Sequence, residues 1–187
     1  AALVKEDFET PRRFWREEYQ MNAMLYHFPK PVVTFLQGYT MGGGVGVGCH
    51  ASHRVVGDTS RIAMPECSIG LVPDIGGSLL LARTPGYVGA YLGTTAARMG
   101  PGDAIFAGFA DIYIPEAQWP ALIAKLEEGG DTDVLQSNAE RAPHSPLSLK
   151  QNEIDLFFSA ETFRGVLDTL QASQTDLSKD IQKALTP

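Results

Sequence analysis

The sequence predicts an α/β fold followed by an all-helical segment, and three observations carry this prediction. A helical pattern at residues 11–28 leads into the continuous β-prone run 32–37. Two short strand patterns at 54–57 and 61–64 are then followed by two helical patterns at 78–82 and 87–94. Beyond about residue 131 the long patterns are all helical, at 151–158, 160–171 and 175–185. We therefore predict two units, an α/β core at 1–130 and a helical appendage at 131–187.

The first helix is expected to begin after Thr10, which reads as an N-cap with Pro11 at the first helical position. Its apolar positions, which recur on one face, are Phe14, Met21, Leu25 and Phe28. Glu18 lies on the same face, so we expect its carboxylate to point towards the interior. The alternative is that Glu18 lies at the edge of this face and pairs with a basic neighbour such as Arg13.

A cluster of six glycines occupies residues 38–48, directly after the first strand. The dinucleotide fingerprint does not fit it, because Gly44 and Gly46 would require a glycine at position 49, which is Cys49. No Gly-Lys-Ser/Thr follows, so a P-loop is excluded as well. We interpret the cluster as a strand that turns into a helix whose first N–H groups face a ligand oxygen.

Two carboxylates follow the glycine cluster in apolar and glycine-rich surroundings. Pro65 ends a predicted strand and places Glu66 just beyond it, while Asp74 precedes Gly76 and Gly77. Burial among apolar residues raises the pKa of a carboxylate towards values that suit acid–base catalysis. The structural alternative for Asp74 is the stabilisation of a turn or a helix N-terminus.

The middle of the chain is predicted to contain a short helix starting at 101–103, a strand at 109–114 and a helix at about 116–128. The inward positions of that last helix are Trp119, Leu122, Ile123 and Leu126. Glycines at 129–130 end it, and the loop 142–146 precedes the C-terminal helical patterns.

Charge and composition exclude several classes of function. The 187 residues carry a net charge of -7, which argues against a nucleic-acid partner because phosphate binding needs a concentrated basic face. No apolar run approaches the roughly 20 residues of a membrane helix, so we expect no membrane span. Cys49 and Cys67 are too few for a disulfide framework and fit a reducing compartment. The histidines show no metal-ligand spacing, so we expect no metal site.

Three stretches together resemble the enoyl-CoA hydratase/isomerase (crotonase) superfamily, and they are 41–46, 63–66 and 69–77. The resemblance implies a crotonase-like core of the ββα spiral type, and it covers residues 11–130 closely. Within the superfamily, the chain is most similar to the 3-hydroxyisobutyryl-CoA hydrolases. This narrower likeness rests on Glu18, on Asp74, and on Gly46, which stands where hydratases carry the first of two catalytic glutamates.

The resemblance also implies roles for individual residues. Glu66 matches the second glutamate of the hydratases, and with Asp74 it is expected to be catalytic. Glu18 matches a substrate-binding glutamate of the hydrolases, and the Gly43 N–H matches one of the two donors of an oxyanion hole. The other donor would come from upstream of residue 1. We therefore expect a chain truncated at both ends, and we expect this 187-residue piece alone to be inactive.

The function implied by the resemblance is hydrolysis of 3-hydroxyisobutyryl-CoA to 3-hydroxyisobutyrate and CoA, a step of valine degradation. Glu66 would act as nucleophile or as general base on water, and the sequence leaves both open. The alternatives are a double-bond isomerase on the same scaffold and a non-catalytic structural member of a larger assembly. We expect no cofactor beyond the CoA of the substrate, and a possible homo-oligomer. The expected compartment is the bacterial cytoplasm or, alternatively, the mitochondrial matrix.

Overall fold

The computed structural model of the protein describes residues 8–185. Within these residues there are five short strands: β1 (Val33–Leu36), β2 (Tyr39–Met41), β3 (His53–Val56), β4 (Arg61–Ala63) and β5 (Ile112–Tyr113). The helices up to residue 129 are α1 (Glu9–Tyr26), α2 (Gly43–Gly48), α3 (Gly77–Ala82), α4 (Val88–Thr95), α5 (Pro101–Phe106) and α6 (Trp119–Gly129). The remaining helices are α7 (Asp133–Ser137), α8 (Pro146–Phe158), α9 (Phe163–Ala172) and α10 (Asp176–Leu185).

The strands form two separate parallel sheets. One has the order β1-β3-β5, with Val33 opposite His53 and Val55 opposite Ile112. The other pairs β2 with β4, with Thr40 opposite Ile62. The two strand patterns predicted around residues 58–60 therefore belong to different sheets. A turn separates them, in which Ser60 accepts from the Gly57 N–H and donates to the Leu36 carbonyl.

The first helix begins at Glu9, one residue before the predicted cap Thr10. Its predicted apolar stripe is wrong at both ends, because Phe14 is 58% exposed and Phe28 is 47% exposed. The inward positions are instead Glu18, Met21, Asn22 and Leu25. The physical reason is the short neighbour: the six-residue α2 meets the middle of α1, with Gly43 against Glu18 and Gly46 against Asn22. Phe14 lies one turn before Glu18, and Phe28 lies beyond the end of α1 at Tyr26.

Three other predicted elements have different limits in the structure. The strand expected at 109–114 is reduced to β5, because the N–H groups of Phe109 and Ala110 donate back to the Ala104 carbonyl in a turn after α5. Helix α8 starts at Pro146, earlier than expected, because Ser145 caps it by accepting from the Ser148 N–H at 3.1 Å. Ile123, expected to face inward, is 36% exposed.

The main hydrophobic core joins both halves of the chain. Val45 and Ile62 from the N-terminal half share one buried cluster with Ile154, Leu170 and Ile181 from α8, α9 and α10. A second, smaller cluster lies under the first sheet, where Trp119 and Leu122 pack on Val55 and Ile114. The predicted boundary near residue 130 stays a prediction. No helix within residues 8–185 has both the length and the apolar character needed to cross a bilayer.

Candidate active site

The site is built around the turn between β2 and α2. Gly42 has φ 52° and ψ −122°, a backbone conformation that only glycine adopts readily. This turn allows Gly43 to open α2 with its N–H group free of an intrahelical partner, as at the start of any helix. Two glutamates flank the turn. A Cβ on Gly42 would lie 3.4 Å from Glu66 Oε1, and a Cβ on Gly43 would lie 2.9 Å from Glu18 Oε1.

Glu66 is the most buried of the three candidate carboxylates, Glu18, Glu66 and Asp74. It opens the 3₁₀ helix Glu66–Ile69 after β4 and is only 5% exposed. Its Oε2 is buried and has no hydrogen-bond partner within residues 8–185. Burial raises the pKa of Glu66, and the negative charge of Asp74 raises it further, against a lowering contribution from its own backbone N–H. A protein retains such a group at the expense of stability, which is typical of functional sites.

Asp74 is held from α1 by a side chain that the sequence did not single out. The Tyr19 hydroxyl donates to Asp74 Oδ2 at 2.7 Å. This hydrogen bond raises the pKa of Tyr19 to about 12, with smaller contributions from burial and from the charges of Asp74 and Glu18. Tyr19 therefore remains a protonated donor at neutral pH.

Glu18 completes the group from α1. Its side chain is half-buried on the inward face, and Arg13 pairs with Glu17 at 4.0 Å instead of with Glu18. Burial raises the pKa of Glu18, and the charge of Asp74 raises it as well. Asp74 therefore acts electrostatically on both glutamates. The structure brings all four predicted site residues together: Glu18, Gly43, Glu66 and Asp74.

The segment after Asp74 has a strained backbone and is held by a hydrogen bond from a buried histidine. Ile75 has a φ of 51°, which is unfavourable for a β-branched residue. Its carbonyl lies 2.7 Å from His50 Nε2, and since a carbonyl can only accept, that nitrogen carries the proton. His50 is only 6% exposed, so it belongs to the interior. This contact fixes the turn that presents Asp74.

A cavity of about 260 Å³ lies behind this turn. Its wall includes Tyr19, Asn22, Tyr26, His50 and Ile75. Tyr19 and Asn22 are site residues that sequence reasoning missed. Tyr19 directly follows Glu18 in the chain, but only the fold shows that it reaches Asp74. Within the described part of the chain, no cluster of His, Cys, Asp and Glu has an arrangement that could hold a metal ion.

Comparison with known proteins shows the family to which the chain belongs. Residues 1–186 match the enoyl-CoA hydratase/isomerase family. A crystal structure of an enoyl-CoA hydratase from Rhodobacter sphaeroides 2.4.1 superimposes with a TM-score of 0.92 at 55% sequence identity, covering 97% of this chain and 52% of that one. The fold is thus of the crotonase type, as predicted. The chain belongs to the enoyl-CoA hydratase/isomerase family.

Two relatives at the level of sequence carry different names, one that of an enzyme and one that of a ribosomal protein. The mitochondrial 3-hydroxyisobutyryl-CoA hydrolase of Xenopus tropicalis is 34% identical over 185 residues, which are 92% of this chain and 48% of that protein. The small ribosomal subunit protein mS47 of Neurospora crassa is 40% identical over 134 residues, which are 68% of this chain and 26% of that protein. The chain therefore spans about half the length of the hydrolase, and its 134 aligned residues cover about a quarter of the ribosomal protein.

Proposed function

We propose that the protein hydrolyses a short 3-hydroxyacyl-CoA thioester, with 3-hydroxyisobutyryl-CoA as the substrate. The observation that carries the proposal is the convergence of Glu18, Glu66 and Asp74 around the Gly42–Gly43 turn. The likeness to the Xenopus hydrolase supports the same substrate class. The absence of a side chain at Gly46 argues against hydration, which uses two carboxylates to hold and activate one water.

The proposed roles are those that the family resemblance implies, and the positions of the groups support them. The Gly43 N–H stabilises the oxyanion that forms when the thioester carbonyl is attacked, an interaction whose loss typically reduces the rate about 10²–10³-fold. Glu66 attacks the carbonyl carbon or activates the water that does so. Asp74, oriented by Tyr19, positions water or the substrate hydroxyl. Glu18 accepts a hydrogen bond from the 3-hydroxyl group.

A panel of CoA esters tests this proposal on the natural full-length protein. Release of free thiol is measured with 3-hydroxyisobutyryl-CoA, with isobutyryl-CoA and with a 3-enoyl-CoA. We expect rapid release from the hydroxylated ester, slower release from isobutyryl-CoA and none from the enoyl ester. Conversion of the 3-enoyl ester to a 2-enoyl ester without thiol release would replace hydrolysis by isomerisation. The inactivity of the 187-residue piece and the absence of a cofactor also stay predictions. The same assay checks the first when it is run on the piece alone, and the second when it is run on full-length protein without any added cofactor.

A second candidate is a non-catalytic role within a large assembly. It is favoured by the 40% identity to a protein named as a small ribosomal subunit component. The presence of all three carboxylates argues against it, because a purely structural role does not require them. Sedimentation of the full-length protein with ribosomal particles, together with no thiol release, would favour this candidate over the hydrolase.

The compartment stays a prediction with two supported alternatives. The name of the Xenopus relative includes "mitochondrial", which supports the mitochondrial alternative. The structure from Rhodobacter sphaeroides shows that a similar chain occurs in a bacterium, which is compatible with the other alternative. Homo-oligomerisation is likewise a prediction that light scattering of the full-length protein checks.

A further inference from the structure

Helices α1 and α2 meet along a seam in which polar side chains of α1 face glycines of α2. Glu18 lies against Gly43, and one helical turn further along Asn22 lies against Gly46. A Cβ on Gly46 would be 2.8 Å from Asn22 Nδ2 and 2.9 Å from Asn22 Oδ1. The carboxamide of Asn22 therefore fills the space into which any side chain at position 46 would project.

The Asn22 side chain makes weaker hydrogen bonds than is usual for a polar group that is so deeply buried. The side chain is 4% exposed, and its Nδ2 donates to the Ile75 carbonyl over a long 3.5 Å. Its Oδ1 is buried and has no hydrogen-bond partner in the part of the chain that the structure describes. An unpaired buried amide oxygen is destabilising, whereas an apolar side chain of similar size would fill the same space without this penalty. Stability alone therefore does not explain an asparagine here.

We propose that Asn22 is a specificity-determining residue, because its carboxamide keeps position 46 free of a side chain and so denies Glu66 a second acid from α2. The inference rests on the proposed function, since a single glutamate suits thioester hydrolysis. Hydration of a 2-enoyl thioester instead adds the hydroxyl of water to C3 and its proton to C2, and it uses two carboxylates on one water. Under this proposal, the change from hydrolysis to hydration needs a substitution at position 22 as well as at position 46.

Four versions of the full-length protein test the pair: the parent, Gly46→Glu, Asn22→Ala, and the double variant. The two readouts are the midpoint of thermal unfolding and the loss of enoyl absorbance with crotonyl-CoA. We expect Gly46→Glu alone to lower the midpoint by several degrees and to hydrate no faster than the parent. We expect the double variant to recover most of that loss and to hydrate crotonyl-CoA at least tenfold faster than either single variant.

The matched control is Gly44→Glu with and without Asn22→Ala. A Cβ on Gly44 meets nothing closer than Thr40 Cγ2 at 3.7 Å, so Asn22→Ala is expected to give no recovery there. Hydration by Gly46→Glu alone at the rate of the double variant would overturn the proposal. Recovery of the midpoint without any gain of hydration would also overturn it, since Asn22 would then affect packing only. Failure of the parent to release thiol from 3-hydroxyisobutyryl-CoA would instead reject the proposed hydrolysis. The unfolding midpoints and the hydration rates of the variants at positions 22 and 46 do not depend on that thiol release.

Discussion

Tyr19 on α1 donates a 2.7 Å hydrogen bond to Asp74, which lies 55 residues further along the chain. The bond joins the first helix to the turn before α3. It also places a protonated hydroxyl beside a carboxylate whose charge acts on both Glu18 and Glu66. The carboxylates of the site are therefore positioned by residues of α1 as well as by the segment that follows the glycine cluster.

Substitution Tyr19→Phe removes this donor and leaves the ring in place. We expect kcat/KM for thioester hydrolysis to fall roughly ten- to a hundredfold, because a hydrogen bond to a charged group contributes about 1.5–3 kcal/mol. Steady-state kinetics on the full-length protein measures the effect. Tyr87→Phe, at an exposed tyrosine before α4, is the control and is expected to retain the parental rate. Equal rates for Tyr19→Phe and the control would show that the bond has no part in the reaction.

Gly43 and Gly44 offer a matched pair of substitutions on one helix. In Gly43→Ala the new methyl group would lie 2.9 Å from Glu18 Oε1, so the carboxylate has to move. In Gly44→Ala the nearest atom is 3.7 Å away, which is ordinary contact, and alanine stabilises a helix by about 1 kcal/mol relative to glycine. We expect Gly43→Ala to raise KM for the hydroxylated ester at least tenfold and Gly44→Ala to leave it unchanged. A parental KM in Gly43→Ala would remove Glu18 from the substrate site.

Glu66 is predicted to reduce stability at neutral pH. The pKa of Glu66 in the folded state is raised above its ordinary value of 4.5. The contribution of Glu66 to the stability of the folded state is therefore fully present below pH 4.5. It is lost as the pH rises through the raised pKa, where the folded protein has to ionise a buried acid. Glu66→Gln removes this penalty, so we expect its unfolding midpoint to exceed that of the parent at pH 8. The difference should vanish near pH 4.

The control for this stability measurement is Glu128→Gln, at an exposed position near the end of α6. We expect its unfolding midpoint to follow that of the parent at both pH values. A Glu66→Gln protein that is less stable than the parent at pH 8 would mean that the ionised carboxylate is stabilised in the fold, contrary to its burial.

The shared core predicts cooperative unfolding of residues on both sides of position 130. Leu170 on α9 is fully buried in the same cluster as Val45 and Ile62. Leu170→Ala is expected to destabilise the protein by about 2–5 kcal/mol. Calorimetry should show one transition, shifted to lower temperature as a whole. Two separate transitions, with only one of them shifted, would establish the helical appendage as an independent unit.

The sequence was most informative where chemistry and local pattern coincide. The burial of Glu66 and the partial burial of Asp74 could be predicted from their apolar and glycine-rich neighbours, and the inward position of Glu18 from the helical face that it shares with Met21 and Leu25. Phe14 and Phe28 were placed wrongly because helical periodicity assumes a neighbour along the whole helix, whereas the short α2 meets only the middle of α1.

Other features depend on contacts that no local pattern carries. Tyr19 and Asn22 are ordinary helix residues in sequence, and their importance comes from Asp74 and Gly46, which are distant along the chain. The separation of β3 and β4 into two sheets follows from pairing with β1 and β2, which strand propensity does not encode.

The most direct test of the account is the rate of CoA release from 3-hydroxyisobutyryl-CoA by the full-length Glu66→Gln protein. Glutamine keeps the size of the side chain but removes its ability to act as nucleophile or general base. We predict a rate at least ~100-fold below that of the parent, with the Glu128→Gln control unchanged. Hydrolysis by Glu66→Gln at the parental rate would contradict the account, because the reaction would then proceed without the buried carboxylate at its centre.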